Sequence, residues 1–502
     1  MTDAPTIADR RVHPAAIVLR FLKEAPSTLL ALPAGVAILS RGDLYRALAV
    51  AAVAGALFLF FNWLAWSRFR YGVGARDIVI ESGILNRNRR SIPFDRVQDV
   101  DIERALLARL FGLAKVRIET GAGGKDEGVL DSVTVAEADR LRAAVRAWHH
   151  QSVPAEAASH DTAEAAPAAP SGKLLFAMDV PRVLLSGLFS FSLVYIASLF
   201  AFLQTFDRML PFDIYDPARW IGLVEHKLPQ RFTVVAIGFL LFVAVLLGIV
   251  AGVLRTLARD FGYRLVAEGS RFRRERGLFT RSEAVIAKRR VQLAFVGGGP
   301  IRSRFGWSAL YFQTLGAASD GSGMQAAAPL ARREEIEPIL DEAGAFRLPR
   351  VAGLMMVSTR HIVRTLAATL APALVVIGAA SAVYPHALLL AILLPVLGAG
   401  AALQRRYHRY ALDGDLLFIT RGVWRRQLWI VPVASAQAIS VSRSWVQRRL
   451  GLATLSVDTA GAPATKSARI VDLRLAAAQA LARELAAARA AHSSGRKSGT
   501  ER

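Results

Sequence analysis

Six stretches of this chain contain no Lys, Arg, Asp or Glu and are dominated by apolar residues: 26–40, 47–66, 183–203, 232–254, 365–384 and 387–403. A bilayer core about 30 Å thick takes roughly 20 such residues in a helix, so these runs commit the chain to membrane insertion. The first is short and carries Pro26 and Pro33, and reads as a tilted or re-entrant segment; the second to fifth are the strongest. They fall into three pairs, each followed by a long charged segment with strand-like patterning. Composition agrees: of 502 residues 53% are hydrophobic and 21% charged, with a mean hydropathy of +0.34. That balance suits neither an ordinary water-soluble enzyme nor a disordered chain. The absence of cysteine excludes disulfide frameworks, thiolate nucleophiles and thiolate metal sites.

Basic residues set the expected orientation. The connections inside the pairs, at 41–46, 204–231 and 385–386, hold six of the 63 Lys and Arg residues. Arg68 and Arg70, Arg255 and Arg259, and Arg405, Arg406 and Arg409 lie just beyond the second span of each pair. Flanks rich in Lys and Arg stay cytoplasmic, so a multi-pass protein with both termini and all three long segments in the cytoplasm is expected. No cleavable leader is evident in 1–24, and the first pair reads as an uncleaved insertion signal. The chain then divides into a cytoplasmic N-terminus (1–25), a first span pair (26–66) and a first unit (67–150). An Ala/Pro-rich flexible linker (151–173) precedes the second pair (174–254) and second unit (255–345). The third pair (362–403), the third unit (404–489) and a disordered tail (490–502) complete it.

The three long segments repeat one pattern, counted from Gly83, Gly277 and Gly422. Four residues on stands Arg87, Arg281 or Arg426; fifteen on, Gln98, Gln292 or Gln437; twenty-nine on, Gly112, Gly306 or Gly451; thirty-seven on, Thr120, Thr314 or Thr459. Such self-similarity marks a repeated structural unit. Inside it the apolar residues alternate, as in Val116 and Ile118, Leu310 and Phe312, and Leu455 and Val457, which predicts half-buried antiparallel strands. Each unit closes on a helical pattern, over 136–148, 332–343 and 473–488. The recurrent glutamine is expected at a hydrogen-bonding core position.

The aromatic-Arg-Tyr pattern (Phe69-Arg70-Tyr71, and His408-Arg409-Tyr410), the glycine hairpin, the Val-Gln or Ala-Gln strand and the Phe-Gly or Leu-Gly turn resemble the bacterial pleckstrin-homology-like membrane-flanking domain family. Three copies after three span pairs are similar to its YdbT-type members, as is His13-Pro14 followed by Leu19-Arg20-Phe21. The second copy departs, reading Phe261-Gly262-Tyr263 with two extra residues in its first hairpin. The resemblance implies a bacterial inner (plasma) membrane protein without established catalysis, in envelope biology such as stress resistance, and it supplies no catalytic residues. The expected fold class is membrane α-helical, six spans in three pairs, plus three β-rich PH-like domains. Each of these is a small antiparallel sandwich or barrel capped by a C-terminal helix.

Motifs for chemistry are missing. The nine histidines show no zinc-protease spacing, the glycine runs 121–124 and 297–299 lack the Lys-Ser/Thr of a phosphate loop, and Gly-x-Ser-x-Gly does not occur. No cofactor, metal or catalytic residue is expected. Spans two to six hold no ionisable residue, whereas transporters usually keep one. The net charge of +23 is uneven: 16 basic and 15 acidic residues in 66–173, 19 and 10 in 255–364, and 17 and 6 in 404–502. That excess marks Arg271, Arg273, Arg274, Arg276, Arg281, Arg425 and Arg426 as candidate lipid-binding residues, since a basic residue near an anionic leaflet contributes about 1 kcal/mol. The plainer reading is a solvated strand face that enforces topology. Trp424, Trp429 and Trp445 form no stacking row, so nucleic acid is not an expected partner. The expected function is a non-catalytic scaffold binding membrane lipids and a membrane-protein partner or a second copy of itself. The alternative is a subunit of a membrane transport or membrane-enzyme complex active only with its partner.

Overall fold

The computed structural model describes residues 8–20, 44–83, 86–120, 128–151, 172–190, 230–314, 323–344, 346–350, 353–460 and 467–498. The first apolar stretch, most of the third, and the linker over 152–171 lie outside these residues.

The first module follows helix α1 (Leu44–Arg68). Strands β1 (Arg70–Val73), β2 (Asp77–Ser82) and β3 (Asn88–Pro93) form one antiparallel sheet, and β4 (Val97–Arg104), β5 (Leu113–Thr120) and β6 (Val129–Thr134) form a second. The one-turn helix α2 (Leu106–Leu110) links β4 to β5, and α3 (Val135–Gln151) closes the module. The second repeat begins with β7 (Lys173–Ala177), α4 (Val180–Leu188) and α5 (Gln230–Asp260). Its module comprises β8 (Arg264–Glu268), β9 (Arg271–Arg276), β10 (Arg281–Ala287), β11 (Val291–Gly298), α6 (Pro300–Arg304), β12 (Ser308–Thr314), β13 (Met324–Ala331) and α7 (Arg333–Glu342). The third has β14 (Met355–Met356), α8 (Arg360–Val383), a 3-10 segment (Pro385–Leu393) and α9 (Leu394–Tyr407). Then come β15 (Arg409–Asp413), β16 (Leu416–Arg421), β17 (Arg426–Pro432), β18 (Ala436–Ser442), α10 (Trp445–Arg449), β19 (Leu452–Thr459), β20 (Ala468–Arg474) and α11 (Leu475–Ser498).

The alternating residues do what period two requires. Val116 and Ile118, Leu310 and Phe312, and Leu455 and Val457 are all buried, and the tyrosines Tyr71, Tyr263 and Tyr410 join them in the cores. Gly83, Gly277 and Gly422 end β2, β9 and β16 with φ of 109°, 113° and 94°. A Cβ there would lie 1.9, 1.9 and 2.0 Å from the carbonyl oxygens of Asn86, Thr280 and Arg425, so the hairpin has room only for glycine. Gly112, Gly306 and Gly451 follow the one-turn helices in the left-handed region, as helix-ending glycines do.

Five features differ from expectation. The modules are not separate sandwiches: β4 of the first pairs with β10 of the second, and β11 of the second with β17 of the third. Two seven-stranded sheets, β6-β5-β4-β10-β9-β8-β7 and β13-β12-β11-β17-β16-β15-β14, therefore run across module boundaries. A strand edge left open by one module is satisfied by the next. The joints are unequal. Leu416, Phe418 and Ile430 of the third module sit in the second module's core and Leu293 and Met324 of the second in the third's, while the first module keeps a core of its own.

Two of the recurrent glutamines, Gln292 and Gln437, are also not core positions. Gln98, Gln292 and Gln437 are each the residue skipped where β4, β11 and β18 shift register against their neighbours, the extra residue of a β-bulge. Gln292 Nε2 donates to the Arg290 carbonyl at 3.3 Å, and Gln437 is exposed.

Next, residues assigned to the second span pair begin with a strand, β7, which joins its module's sheet. And α11 continues to Ser498, so 490–498 is helix rather than disordered tail; the alanine-rich run through Ala491 has the highest helix propensity and carries the helix beyond its last core contacts.

Two helices among the described residues are long and apolar enough to cross a membrane, Arg360–Ala382 and Pro385–Tyr407, rather than six. The continuous helices α1 and α5, of 25 and 31 residues, cover the second and fourth apolar stretches.

Candidate functional site

In each repeat, the residues preceding the apolar stretches are stitched to the module that follows them. Arg10 bridges Tyr71 of β1, β7 pairs with β8, and β14 pairs with β15. An arginine then grips an acid from the end of the same module. Arg10 Nη1 lies 2.5 Å from Glu137 at the start of α3. Arg182 in α4 takes both oxygens of Glu335 in α7, donates to the Leu330 carbonyl, and stacks over Phe176 and Trp307 at 4.9 and 5.1 Å. Arg364 in α8 donates to Asp472 of β20 at 2.5 Å. The residues before and after each set of apolar stretches thus meet the same module.

The third junction is the most buried. Asp472 is 0% exposed and has φ +64°; besides Arg364 it meets His361 Nδ1 at 2.6 Å and accepts from Gln447 Nε2 at 2.8 Å. Burial opposes its charge, but the hydrogen bonds from His361, Gln447 and Arg364 prevail and hold its carboxyl below the usual range. His408, whose ring centroid lies 5.8 Å from that of His361, is buried with no partner at Nε2. Burial, then Arg421 and His361, push its imidazole down to about 3, with Asp472 opposing and Arg364 adding to the shift.

A depressed histidine is neutral in the fold but protonates in the unfolded chain below about 6.5. The stability it confers is therefore complete above that value and is lost as pH falls toward 3, by at most about 1.4 kcal/mol per pH unit. Intrinsic tryptophan fluorescence of the detergent-solubilised protein should report a melting temperature that falls between pH 6.5 and 4.5. In His408→Phe that fall should flatten; an unchanged slope would remove His408 as its source.

In the second and third modules two tips lie beside the ends of the apolar helices. The β2–β3 type hairpin sits at the end of the second span: Gly277 and Leu278 donate backbone hydrogen bonds to Phe261 and Ala258, and Arg426 stacks over Tyr407 at 4.8 Å. Its apolar residues Phe279 and Trp424 are 52% and 75% exposed. The one-turn helix sits at the start of the first span: Phe305 stacks on Phe189 at 6.3 Å, and Arg360 donates to the Leu450 carbonyl at 2.7 Å. These helices expose Leu106, Leu110 and Phe111, Ile301 and Phe305, or Trp445 and Val446, interleaved with Arg109, Arg304 and Arg449. Apolar residues ringed by arginine at the end of a span fit the interface between acyl chains and headgroups.

The arginines singled out from sequence divide sharply. Arg271, Arg281, Arg425 and Arg426 are exposed; Arg281 pairs with Glu275 at 3.0 Å. Arg273 lies within 3.6 Å of Glu268, Glu275 and Glu283. Arg274 is buried and donates to the Ala326 carbonyl at 3.2 Å. Arg276 is 18% exposed beside Asp260 at 3.4 Å, and burial and Arg274 lower its pKa. Inward-facing positions of β9 thus consume two of the proposed surface charges within the module, and acids neutralise a third. Among the described residues no group of three or more His, Cys, Asp or Glu could hold a metal. The clamps escaped sequence reading because their partners lie more than a hundred residues apart. The apolar tips had a signal, the residues just before the Phe-Gly and Leu-Gly turns in all three copies.

The Bacterial PH domain family matches three times, over residues 18–148, 217–345 and 363–489, each match taking in a module and the apolar stretch before it. The chain belongs to that family. This Bacterial PH domain protein is 24% identical over 474 residues to UPF0699 transmembrane protein YdbT of Bacillus subtilis (strain 168), covering 89% of this chain and 92% of that one. A shorter likeness, 38% over 74 residues, is to UPF0699 transmembrane protein YdbS of the same organism, covering 15% of this chain and 45% of the other. No solved structure matches.

Proposed function

We propose that this chain is a non-catalytic, multi-pass scaffold of the bacterial inner membrane whose three PH-like modules lie on the anionic cytoplasmic leaflet, in envelope stress resistance. The observation that carries this reading is the pair of tips beside the apolar helices of the second and third modules, exposed aromatic and aliphatic residues ringed by arginine. The shared sheets support it as well: sheets continuous across modules cannot straddle a bilayer, so the modules share one side and each connection between them crosses an even number of times. That agrees with six spans in three pairs and with cytoplasmic termini. Arg281, Arg425 and Arg426 take lipid phosphate, and Phe279, Phe305, Trp424 and Trp445 enter the interface; Arg271, at the far end of β9 from the hairpin, lies away from that surface.

The test uses the full chain in nanodiscs. Brominated acyl chains should quench Trp424 and Trp445, so the Trp424→Phe, Trp445→Phe double variant should lose a large part of the quenching. Changing Arg281, Arg425 and Arg426 to Gln should reduce the enrichment of anionic over zwitterionic lipid roughly tenfold, at about 1 kcal/mol per residue discounted for solvent and for existing partners. Unchanged quenching together with unchanged lipid selection would sink the reading.

A further inference from the structure

The two joints between modules are built in one register. Counted from the hairpin glycines, Arg104 faces Arg281 and Glu103 faces Ser282 at the first joint; the same repeat positions, Gly298 facing Arg426 and Gly297 facing Gln427, meet at the second. Each joint is made by the first strand of one module's second sheet and the last strand of the next module's first sheet. One of each kind is left over. The outer strands of the two three-stranded sheets are β3, in the first module, and β18, in the third; no other described strand pairs with their outer edges. Most of β18 is exposed, including Gln437, Ala438, Ser440, Val441 and Ser442, as are Asn88 and Ser91 of β3.

We propose that a second copy of this chain completes the series: β18 of one copy adds, antiparallel, to β3 of the next. Carrying the shared register forward sets Ser442 opposite Asn88 and Ile439 opposite Ser91. The occupant is a second copy because the two outer edges are the complementary halves of a joint the chain already makes twice. Arg443 would face Arg87, a like-charge pair already accommodated at Arg104 and Arg281. Such an interface is head-to-tail, generating a ring or an open array rather than an isologous dimer. It uses backbone hydrogen bonds along a strand edge and stands apart from the lipid reading.

The absence of cysteine makes the test clean. Asn88→Cys and Ser442→Cys are placed in separate, differently tagged full-length chains, co-expressed, and oxidised in the membrane. Directly opposed strand residues lie within disulfide reach, with Cβ atoms about 5 Å apart, whereas a three-residue offset separates them by about 10 Å. The expected result is a mixed-tag disulfide that forms at least tenfold faster than from Ser91→Cys with Ser442→Cys. All three variants should melt like the parent. Equal rates for the two pairs, or no mixed-tag product from a chain that runs as a monomer in detergent, would overturn the proposal. So would cross-linking of β18 only to a different protein.

Discussion

Asp472→Ala is expected to cost about 3–5 kcal/mol, the range for removing one partner of a buried ion pair. The substitution strips the shared acceptor from Arg364, His361 and Gln447 and leaves a guanidinium partly inside the protein at the start of a span. It also places alanine at φ +64°, a conformation that costs non-glycine residues about 1–2 kcal/mol. Asn at this position tolerates that backbone and keeps an acceptor for Gln447 while losing the charge, so Asp472→Asn should fall between parent and Ala. Thermal unfolding in detergent, with limited proteolysis reporting release of the third module from α8, measures both. If the Ala variant melts within a degree of the parent, the cluster does not hold the junction. Because the carboxyl's pKa is depressed, its contribution should be present at neutral pH and be lost only as pH drops below about 4.

Gly422→Ala should be of similar size, on the order of 3 kcal/mol or more. The added methyl would lie 2.0 Å from the Arg425 carbonyl oxygen, which is backbone and cannot swing aside, so the β16–β17 hairpin must open. Opening it displaces Trp424, Arg425 and Arg426 from the end of α9 and frays β17, the strand that joins the third module to the second. Gly414→Ala is the control: φ is +60°, yet only the flexible end of Arg347 lies within 4 Å. It should cost about 1–2 kcal/mol, the backbone penalty alone. The difference between the two melting shifts isolates the steric contribution, and equal shifts would show that the hairpin relaxes around a side chain.

Read from the sequence, the threefold repeat, the hairpin glycines, the alternating strands and the closing helices were all legible. Each depends on residues a few positions apart, and backbone geometry imposes its period on such neighbours whatever the rest of the chain does. Helix over the second, fourth and fifth apolar stretches was legible for the same reason. Tertiary structure alone decided which strand lies beside which across a module boundary, because an open edge offers the same N–H and C=O groups to any strand that packing brings near. It also decided that Arg274 and Arg276 of the basic strand β9 turn inward to partners on other elements, Ala326 and Asp260, while Arg271 stays outside. The grips of Arg10 on Glu137, Arg182 on Glu335 and Arg364 on Asp472 are of the same kind. Charge counts in a sequence do not say which charges are buried, and separations above a hundred residues leave no local periodicity to betray a contact; only the folded chain brings these groups within hydrogen-bond reach.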